Sequence, residues 1–512
     1  MRVRSIVCSL ALLSSCGGSG TARTDSTAAT GPASAGGAGG GSSGQAGGGA
    51  DGNAGAAHGG STGGSAGGDA GAGAAAGRAG AGGAPAGSSG AHAGAGSPGA
   101  GAGGVSGGGT SGTAGSGGAP VVCAKLGAPD IVALGGDAQW EQRRARLAPL
   151  ASDRVAVVLG LDAAESPGPV PSPLAHVEFA PWGAWPASLP APTIVSANGG
   201  SGDFRVSQGT ASGFGLLYHD DPFQPPMPPL GLIVVADVPE GATMASGPLL
   251  EGNEPSPPLW ITRGATGEDL DQGLLAGWSY ELPLDSIHYA VRFLWTGGPL
   301  VVDGLACGTS ELSGDAVRSG KGFLVAATTS APFGMCGKDG VPGPDGVPNR
   351  LQITRVDQGV ASFGDELSEV GPILAVAMTA RSDGAWVVWL PSGDPAAASP
   401  RASRVDESGK LVGTPFVVGA PGESGVFAVA SLGDRLAVVQ RQTIDPSAPT
   451  IGVFVYDDAG PVTTATVEAP GGQFSAPELS ALGSPAGDAL LVAWSTASGP
   501  YRAHVARLDC LP

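Results

Sequence analysis

Four short segments of the chain share one form: Gly322-Phe323-Leu324-Val325-Ala326-Ala327, Ala385-Trp386-Val387-Val388-Trp389, Arg435-Leu436-Ala437-Val438-Val439 and Ala489-Leu490-Leu491-Val492-Ala493-Trp494. Each follows a Gly/Asp-type turn and is largely apolar, with β-branched or aromatic residues, the pattern of a buried strand rather than a helix. A second strand type recurs between them. It ends in Arg355-Val356-Asp357, Arg404-Val405-Asp406, Val455-Tyr456-Asp457 and Arg507-Leu508-Asp509, with Asp-to-Asp spacings of 49, 51 and 52 residues. Two of these ends run into a Gly turn, Asp406-Glu407-Ser408-Gly409 and Asp457-Asp458-Ala459-Gly460. Asp suits such a turn because its carboxylate can accept from a backbone amide two residues on. Weaker echoes upstream are Gly160-Leu161-Asp162, Val235-Ala236-Asp237 and Val301-Val302-Asp303, which bring the count to seven units, irregular in the first half.

Units of about 50 residues, with several strands and no amphipathic helix, predict blades of four strands. The expected fold is all-β: a single β-propeller of about seven blades over residues 121–512, following a long disordered N-terminal stalk. A β-sandwich pair or a two-domain β protein is the alternative that the same strands allow.

The N-terminal 120 residues are of another kind. Arg2 and Arg4 precede an apolar run from Ile6 to Leu13, too short to span a bilayer as a helix, which takes about 20 residues. Residues 1–15 therefore read as a secretory signal. It ends in Leu13-Ser14-Ser15-Cys16, which resembles the bacterial lipobox. That resemblance implies cleavage before Cys16, a diacylglycerol on its thiol and an acylated new N-terminus. Gly17 rather than Asp after the cysteine implies, by the same resemblance, the outer membrane. Residues 16–120 then form the lipidated cysteine and its stalk. From Gly17 to Pro120, 42 of 104 residues are Gly and nearly all others are Ala, Ser, Thr or Pro. Such a chain buries too little apolar surface to offset its ordering entropy. As a Gly-rich coil it has an end-to-end distance of roughly 55–60 Å. Apparent motifs inside it, Gly63-Gly64-Ser65-Ala66-Gly67 and Gly94-Ala95-Gly96-Ser97-Pro98-Gly99, lack the strand and helix that a nucleophile elbow or a dinucleotide loop requires.

Residues 383–419, DGAWVVWLPSGDPAAASPRASRVDESGKLVGTPFVVG, resemble the repeat of the propeller lipoproteins common in myxobacteria and their relatives. Those repeats run from a strand ending in Trp, through a variable loop, to a strand with Arg-x-Asp and a Gly turn. The anchor and stalk fit the same group, and within the domain the resemblance covers residues 320–512. It implies an envelope location and carries no catalytic residues.

Arg2, Arg4, Arg23 and Arg78 against Asp25, Asp51 and Asp69 leave the first 120 residues at +1, so the chain's −19 places −20 on the rest. An acidic surface argues against nucleic acid and against attraction to anionic lipid. Four cysteines remain in the domain: Cys123, Cys307, Cys336 and Cys510. Disulfides persist outside the inner membrane, and four cysteines allow three connectivities. Ring closure brings the two chain ends together and so favours Cys123–Cys510 with Cys307–Cys336. No pair has metal-site spacing.

Candidate chemistry is sparse. His176, His219, His288 and His504 are scattered, and no His-Glu-x-x-His is present, which excludes a zincin-type protease. Gly314 to Lys321 is one residue too long for a phosphate loop, and Gly322 stands where Ser or Thr should follow. The loop Lys338 to Asn349 repeats Asp-Gly-Val-Pro. Asp339 and Asp345 there offer calcium carboxylate ligands, but fewer than the six to eight oxygens it takes; a long turn is the simpler reading, and no other cofactor is expected. His219-Asp220-Asp221-Pro222 reads as a polar turn. Pro181-Trp182-Gly183-Ala184-Trp185-Pro186 has the character of a contact surface for sugars or a protein partner, with Trp182 and Trp185 as the candidate ligand-binding residues. The competing reading has both rings filling the gap between blades. The expected function is a binding or scaffolding module at the cell envelope, its ligand a glycan or an envelope protein. An extracytoplasmic propeller hydrolase or lyase, with its site at the channel mouth, is the alternative. A third reading is a surface for neighbouring proteins with no pocket.

Overall fold

The computed structural model describes residues 123–512 except 136–139, 151–152, 164–171, 200–202, 210–212, 221–231, 243–245, 254–257, 264–272, 282–288, 296–299, 309–311, 331–345, 358–359, 393–398, 421–425, 443–449, 471–478 and 498–500. The expected signal, lipidated Cys16 and stalk lie outside the described residues, as do Cys336, His288 and the Asp339–Asp345 loop. Among the described residues there is no helix.

The chain opens with β1 (Lys125–Leu126) and β2 (Asp130–Ala133). Blade I then comprises β3 (Trp140–Pro149), β4 (Val155–Ala163), β5 (Pro173–Phe179) and β6 (Thr193–Gly199). Blade II comprises β7 (Phe204–Gln208), β8 (Phe214–Asp220), β9 (Leu232–Val238) and β10 (Ser246–Asn253). Blade III comprises β11 (Pro258–Arg263), β12 (Leu274–Glu281), β13 (Tyr289–Trp295) and β14 (Leu300–Gly308). Blade IV comprises β15 (Gly314–Ser319), β16 (Gly322–Thr329), β17 (Arg350–Asp357) and β18 (Val360–Ser368). Blade V comprises β19 (Ile373–Arg381), β20 (Gly384–Pro391), β21 (Arg401–Asp406) and β22 (Leu411–Val417). Blade VI comprises β23 (Phe427–Leu432), β24 (Arg435–Arg441), β25 (Thr450–Asp457) and β26 (Gly460–Glu468). The last three strands are β27 (Ser480–Gly483), β28 (Ala489–Ala497) and β29 (Tyr501–Leu511).

Blades I to VI are four-stranded antiparallel meanders. Blade VII is a five-stranded sheet in which both chain ends meet: β29 pairs with β28 on one side and with β1 and β2 on the other. The first strand of each blade packs against the first strands of its two neighbours, so β3, β7, β11, β15, β19, β23 and β27 form a closed ring around a channel. The protein is therefore a β-propeller, six four-stranded blades closed by a seventh, five-stranded one.

The core explains the sequence pattern. Instead of one core there are seven apolar clusters, one at each junction between neighbouring blades. Each second strand turns one face to the preceding junction and the other to the following one. It is thus buried on both sides, and reads as an unbroken apolar run rather than an alternation. All eight residues of β16 are buried, and Trp386, Trp389 and Trp494 of the other runs are fully enclosed. The four apolar segments that opened the sequence are all second strands, β16, β20, β24 and β28.

The Arg-x-Asp ends are all on third strands, and the structure shows what they hold. Each arginine reaches the turn between third and fourth strands of the next blade, or, at blade I, the loop between them. Arg355 Nη1 donates to the Glu407 carbonyl. Arg404 Nη1 donates to Asp458 at 3.0 Å and Arg507 Nη1 to the carbonyls of Pro181 and Gly183. Blade VI has Val455 in this place. There Arg435 substitutes, donating to the Cys123 carbonyl at 2.6 Å. The turn aspartates accept amides two residues on, Asp406 from Ser408 and Asp457 from Ala459. Of the three upstream echoes, only Asp237 lies on a third strand; Asp162 ends a second strand and Asp303 lies in a fourth. A short Val/Leu-Asp match does not carry strand rank, because any buried strand that ends in a turn produces it.

Between blades V and VI these contacts close into an ionic ring. Arg381 bonds Asp383 at 2.7 Å and Asp458 at 2.9 Å, while Arg404 bonds the same two carboxylates at 2.8 and 3.0 Å. Arg381 also lies over the Trp386 indole, 5.2 Å from its centroid, and holds the Asp383 carboxyl below the usual carboxylate range. The Asp carboxylates are half exposed, so solvent and salt screen the ring. Arg404→Ala is expected to cost about 1 kcal/mol and the more enclosed Arg381→Ala about 2 kcal/mol. Urea unfolding at low and high salt checks this, since both losses should shrink in salt.

The Cys123–Cys510 disulfide joins the strand-closing ends across a sequence separation of 387. Cys307 is also disulfide-bonded; Cys336, its expected partner, lies outside the described residues.

Candidate functional site: the upper mouth of the channel

Inner-strand residues line a cavity of about 500 Å³ at one end of the channel, called here the upper mouth. Among the described residues four charged side chains from three blades line it: Arg146, Asp203, Arg205 and Asp315. Each is placed by a local feature of its strand.

Arg146 sits just past a bulge. The β3–β4 register slips between Arg143 and Arg146, and Arg144 sits at φ 54°. One extra residue on β3 re-aims the side chains beyond it, and Arg146 turns to the channel, 5.7 Å from the Phe204 ring centroid. Asp203 and Arg205 flank Phe204, which is fully buried between blades I and II. Strand alternation then sends both flanking residues to the channel side. Asp203 is bridged by two guanidiniums, Arg146 at 3.6 Å and Arg205 at 3.3 Å. Arg205 is held in turn by the carbonyls of Leu259 and Phe204, at 2.9 and 3.1 Å.

Asp315 alternates with Gly314 in β15. A side chain at Gly314 would meet the Trp260 ring at 2.7 Å, so the glycine leaves room for that indole while Asp315 faces the channel. Both of its oxygens accept backbone amides: Ala316 at 2.8 Å on its own strand and Met378 at 2.7 Å on blade V. Burial in the channel wall pushes this carboxyl up to about 6, against the opposing pull of the two amides and of Arg205 and Arg146. Ser313 and Ser480 make the same kind of tie. Their hydroxyls accept from Val376 and Leu147 at 2.9 Å, each on the next blade. These ties satisfy inner-strand amides that have no neighbouring strand to pair with.

The wall formed by blades V and VI is apolar, with Leu374, Val376, Val426 and Phe427. Leu374 is 58% exposed, into the channel mouth. The mouth thus sets donors and acceptors on one side against a hydrocarbon surface on the other.

None of these charged residues stood out in the sequence. Asp203-Phe204-Arg205 is a polar-apolar-polar triplet like many others, and Asp315 lay inside the failed phosphate-loop match, which is the inner strand β15 and its turn at Gly320. The residues that did stand out are elsewhere. Trp182 and Trp185 lie in the β5–β6 loop, half buried against the cluster between blades VII and I, with Trp185 edge-on to Phe179 at 6.1 Å. Neither lines the channel. His176 and His504 are buried in strands: His176 edge-on to Phe214, and His504 stacked on Trp494 at 5.6 Å. The side chains of His219 and Asp220, and all of Asp221, lie outside the described residues. Asn349, the described end of the Asp-Gly-Val-Pro loop, turns its amide to the Glu369 carbonyl at 3.4 Å. Among the described residues no three His, Cys, Asp or Glu side chains converge as a metal site.

No family model matches the chain, and no curated protein matches it. Solved structures do. A Dyadobacter fermentans protein of unknown function is 12% identical, with 74% of this chain and 98% of that one covered at a TM-score of 0.43. A Penicillium chrysogenum alpha-L-arabinanase complexed with arabinobiose is 10% identical, with 74% and 98% covered and a TM-score of 0.39. A Trypanosoma rangeli sialidase in complex with the inhibitor DANA is 10% identical, with 74% and 57% covered and a TM-score of 0.39. At these identities the likeness is one of propeller architecture.

Proposed function

We propose that the protein is a cell-envelope lipoprotein, tethered to the outer membrane through Cys16, whose propeller binds a glycan at the upper mouth. The observation that carries the ligand class is the bridged Arg146–Asp203–Arg205 group facing the apolar wall of Leu374 and Phe427. A sugar presents the matching chemistry: hydroxyls that donate and accept along one edge, and a C–H face that packs on hydrocarbon. Neighbouring guanidinium and carboxylate groups suit vicinal hydroxyls, since one supplies donors and the other acceptors.

A screen of the purified protein against glycans, peptidoglycan fragments and envelope extracts, read by thermal shift, tests the site. One ligand class is expected to raise the melting temperature, and Arg205→Met and Phe427→Ala to abolish the rise. Trp182→Ala and Trp185→Ala are expected to lower the baseline melting temperature through lost packing while keeping the ligand response. A response lost only in the tryptophan variants would move the site to the β5–β6 loop. The tether has its own test: radiolabelled palmitate should label the wild-type protein and not Cys16→Ala.

A second reading, an extracytoplasmic hydrolase or lyase, is favoured by one feature. Asp315 holds its proton to about pH 6, where a general acid is useful. Against it, both Asp315 oxygens are occupied by backbone amides, and no histidine among the described residues lines the mouth. Turnover of any ligand found in the screen, abolished in Asp315→Asn with binding retained, would establish the enzyme.

A further inference from the structure

The upper cavity meets a second one of about 820 Å³ further along the channel. Five residues line both: Leu147, Val206, Met378, Val429 and Ala481. They come one each from β3, β7, β19, β23 and β27. In blades III and IV the boundary falls between chain neighbours, with Ile261 and Ala316 above it and Thr262 and Val317 below. Every inner strand thus gives one apolar residue to a collar that floors the upper mouth. Leu147 and Met378 are anchored in the blade junctions beside it, while Val206, Val429 and Ala481 are half-buried and keep apolar surface open to the channel.

Polar side chains stand directly above this collar. In four blades the residue just before the collar residue is polar: Arg146, Arg205, Asp315 and Ser480. All four line the upper cavity. The Ser480 hydroxyl accepts from Leu147 at 2.9 Å, and a hydroxyl that accepts keeps its own O–H as a donor. The Asp315 carboxylate takes the amides of Ala316 and Met378, two of the roughly four lone-pair positions that a carboxylate offers. Donors and an acceptor therefore lie next to an apolar surface deep in the mouth, below the Asp203 bridge.

We propose that the glycan taken at the upper mouth is an N-acylated amino sugar, with its acyl group directed down the channel onto the collar. The inference rests on the glycan reading above and narrows it. An acylamido group combines the three things that this level of the channel supplies. Its N–H finds an acceptor in Asp315, its carbonyl finds donors in Ser480 and Arg205, and its methyl covers the hydrocarbon of Val206, Val429 and Ala481. A sugar hydroxyl in the same place satisfies the polar groups but leaves the collar wet. A bare methyl covers the collar but leaves the polar groups above it without a partner, which is the costlier mismatch.

The test uses the purified full chain with tri-N-acetylchitotriose and cellotriose as probes and thermal shift as readout, well above pH 6, where Asp315 is ionised. The two trisaccharides share one backbone and differ only in carrying acetamido or hydroxyl groups. Tri-N-acetylchitotriose is expected to bind with an apparent affinity about tenfold above that of cellotriose. Val429→Thr and Ala481→Ser each put a hydroxyl into the collar and should cut that preference by about threefold or more. Both changes are small, and either variant that keeps the ligand-free melting temperature decides the matter. Arg205→Met, above the collar, should weaken both probes together. Equal affinities for the two probes would overturn the acyl subsite and leave the glycan site standing, as would a preference unchanged in both collar variants. A response to other glycans with none to tri-N-acetylchitotriose would do the same. No response to any glycan would overturn both readings.

Discussion

Replacing Cys123 and Cys510 together by alanine is expected to lower the melting temperature by about 5 °C. The disulfide closes a loop spanning a sequence separation of 387. Chain entropy sets a ceiling of about 6 kcal/mol for a loop of this size, and about 4 kcal/mol is the expected measured loss. The position matters as much as the loop length. Cys123 is tied to the end of β29, next to the short β1, which pairs through only Lys125↔Leu511 and Leu126↔Cys510. Two residue pairs alone hold a strand weakly against fraying. The bond makes that pairing intramolecular and keeps the apolar cluster between blades VI and VII covered. Hydrogen exchange should therefore rise first in β1 and β29 of the variant, before any other blade. A melting temperature within about 1 °C of wild type, with exchange unchanged in blade VII, would show that strand pairing alone closes the ring.

The second large effect is in the response to acid, and two residues oppose each other in it. His504 is buried against Trp494, and burial lowers it to about 4. Its neutral form is the native one, so its contribution is fully present above about pH 6.5 and is lost as pH falls to about 4, a loss of roughly 3 kcal/mol. His176 is lowered as well, first by burial and with Glu178 opposing, so it acts on the same side. Asp315 behaves in the opposite sense. Its carboxyl is raised to about 6, so the native state binds a proton before the unfolded chain does. Its contribution grows by about 3 kcal/mol as pH falls from about 6 to about 4. The wild-type profile is therefore expected to be shallow between about pH 6 and about pH 4. His504→Phe should unmask a gain in stability towards acid, and Asp315→Asn a steep loss. Asp315→Asn also turns an amide N–H towards one of its two backbone donors, which costs about 1–2 kcal/mol at every pH. The slope of the urea midpoint against pH is for that reason the quantity to measure. Parallel slopes for wild type and both variants would exclude these two groups as the source.

How much was legible in the sequence depends on the kind of signal each feature leaves. The second strands were legible because burial on both faces demands an unbroken apolar run, as in Ala385 to Trp389 or Ala489 to Trp494. The third strands of the second half were legible because one inter-blade contact recurs and imposes Arg and Asp at fixed spacing. In blade I the corresponding contact comes from Arg154, just before a second strand, to Glu240 in the third-to-fourth-strand turn of blade II at 2.8 Å; it leaves no Arg-x-Asp mark, and the chance echoes at Asp162 and Asp303 point to other unit boundaries. Trp182 and Trp185 drew attention as large aromatics in a Pro/Gly loop. The same properties suit a plug at a blade junction, and a single sequence does not distinguish an aromatic that packs from one that waits for a ligand.

Local periodicity and position along the chain were enough for the all-β repeat architecture and for the pairing of the cysteines at the closing ends. They were not enough for the channel, whose lining was settled by the fold. Arg146, Asp203 and Asp315 come from blades I, II and IV, at successive separations of 57 and 112 positions, and they converge because the ring brings the inner strands side by side. Arg146 depends further on a bulge. Neighbourhoods of that kind are set by ring closure, a long-range property that leaves no periodic mark on the chain.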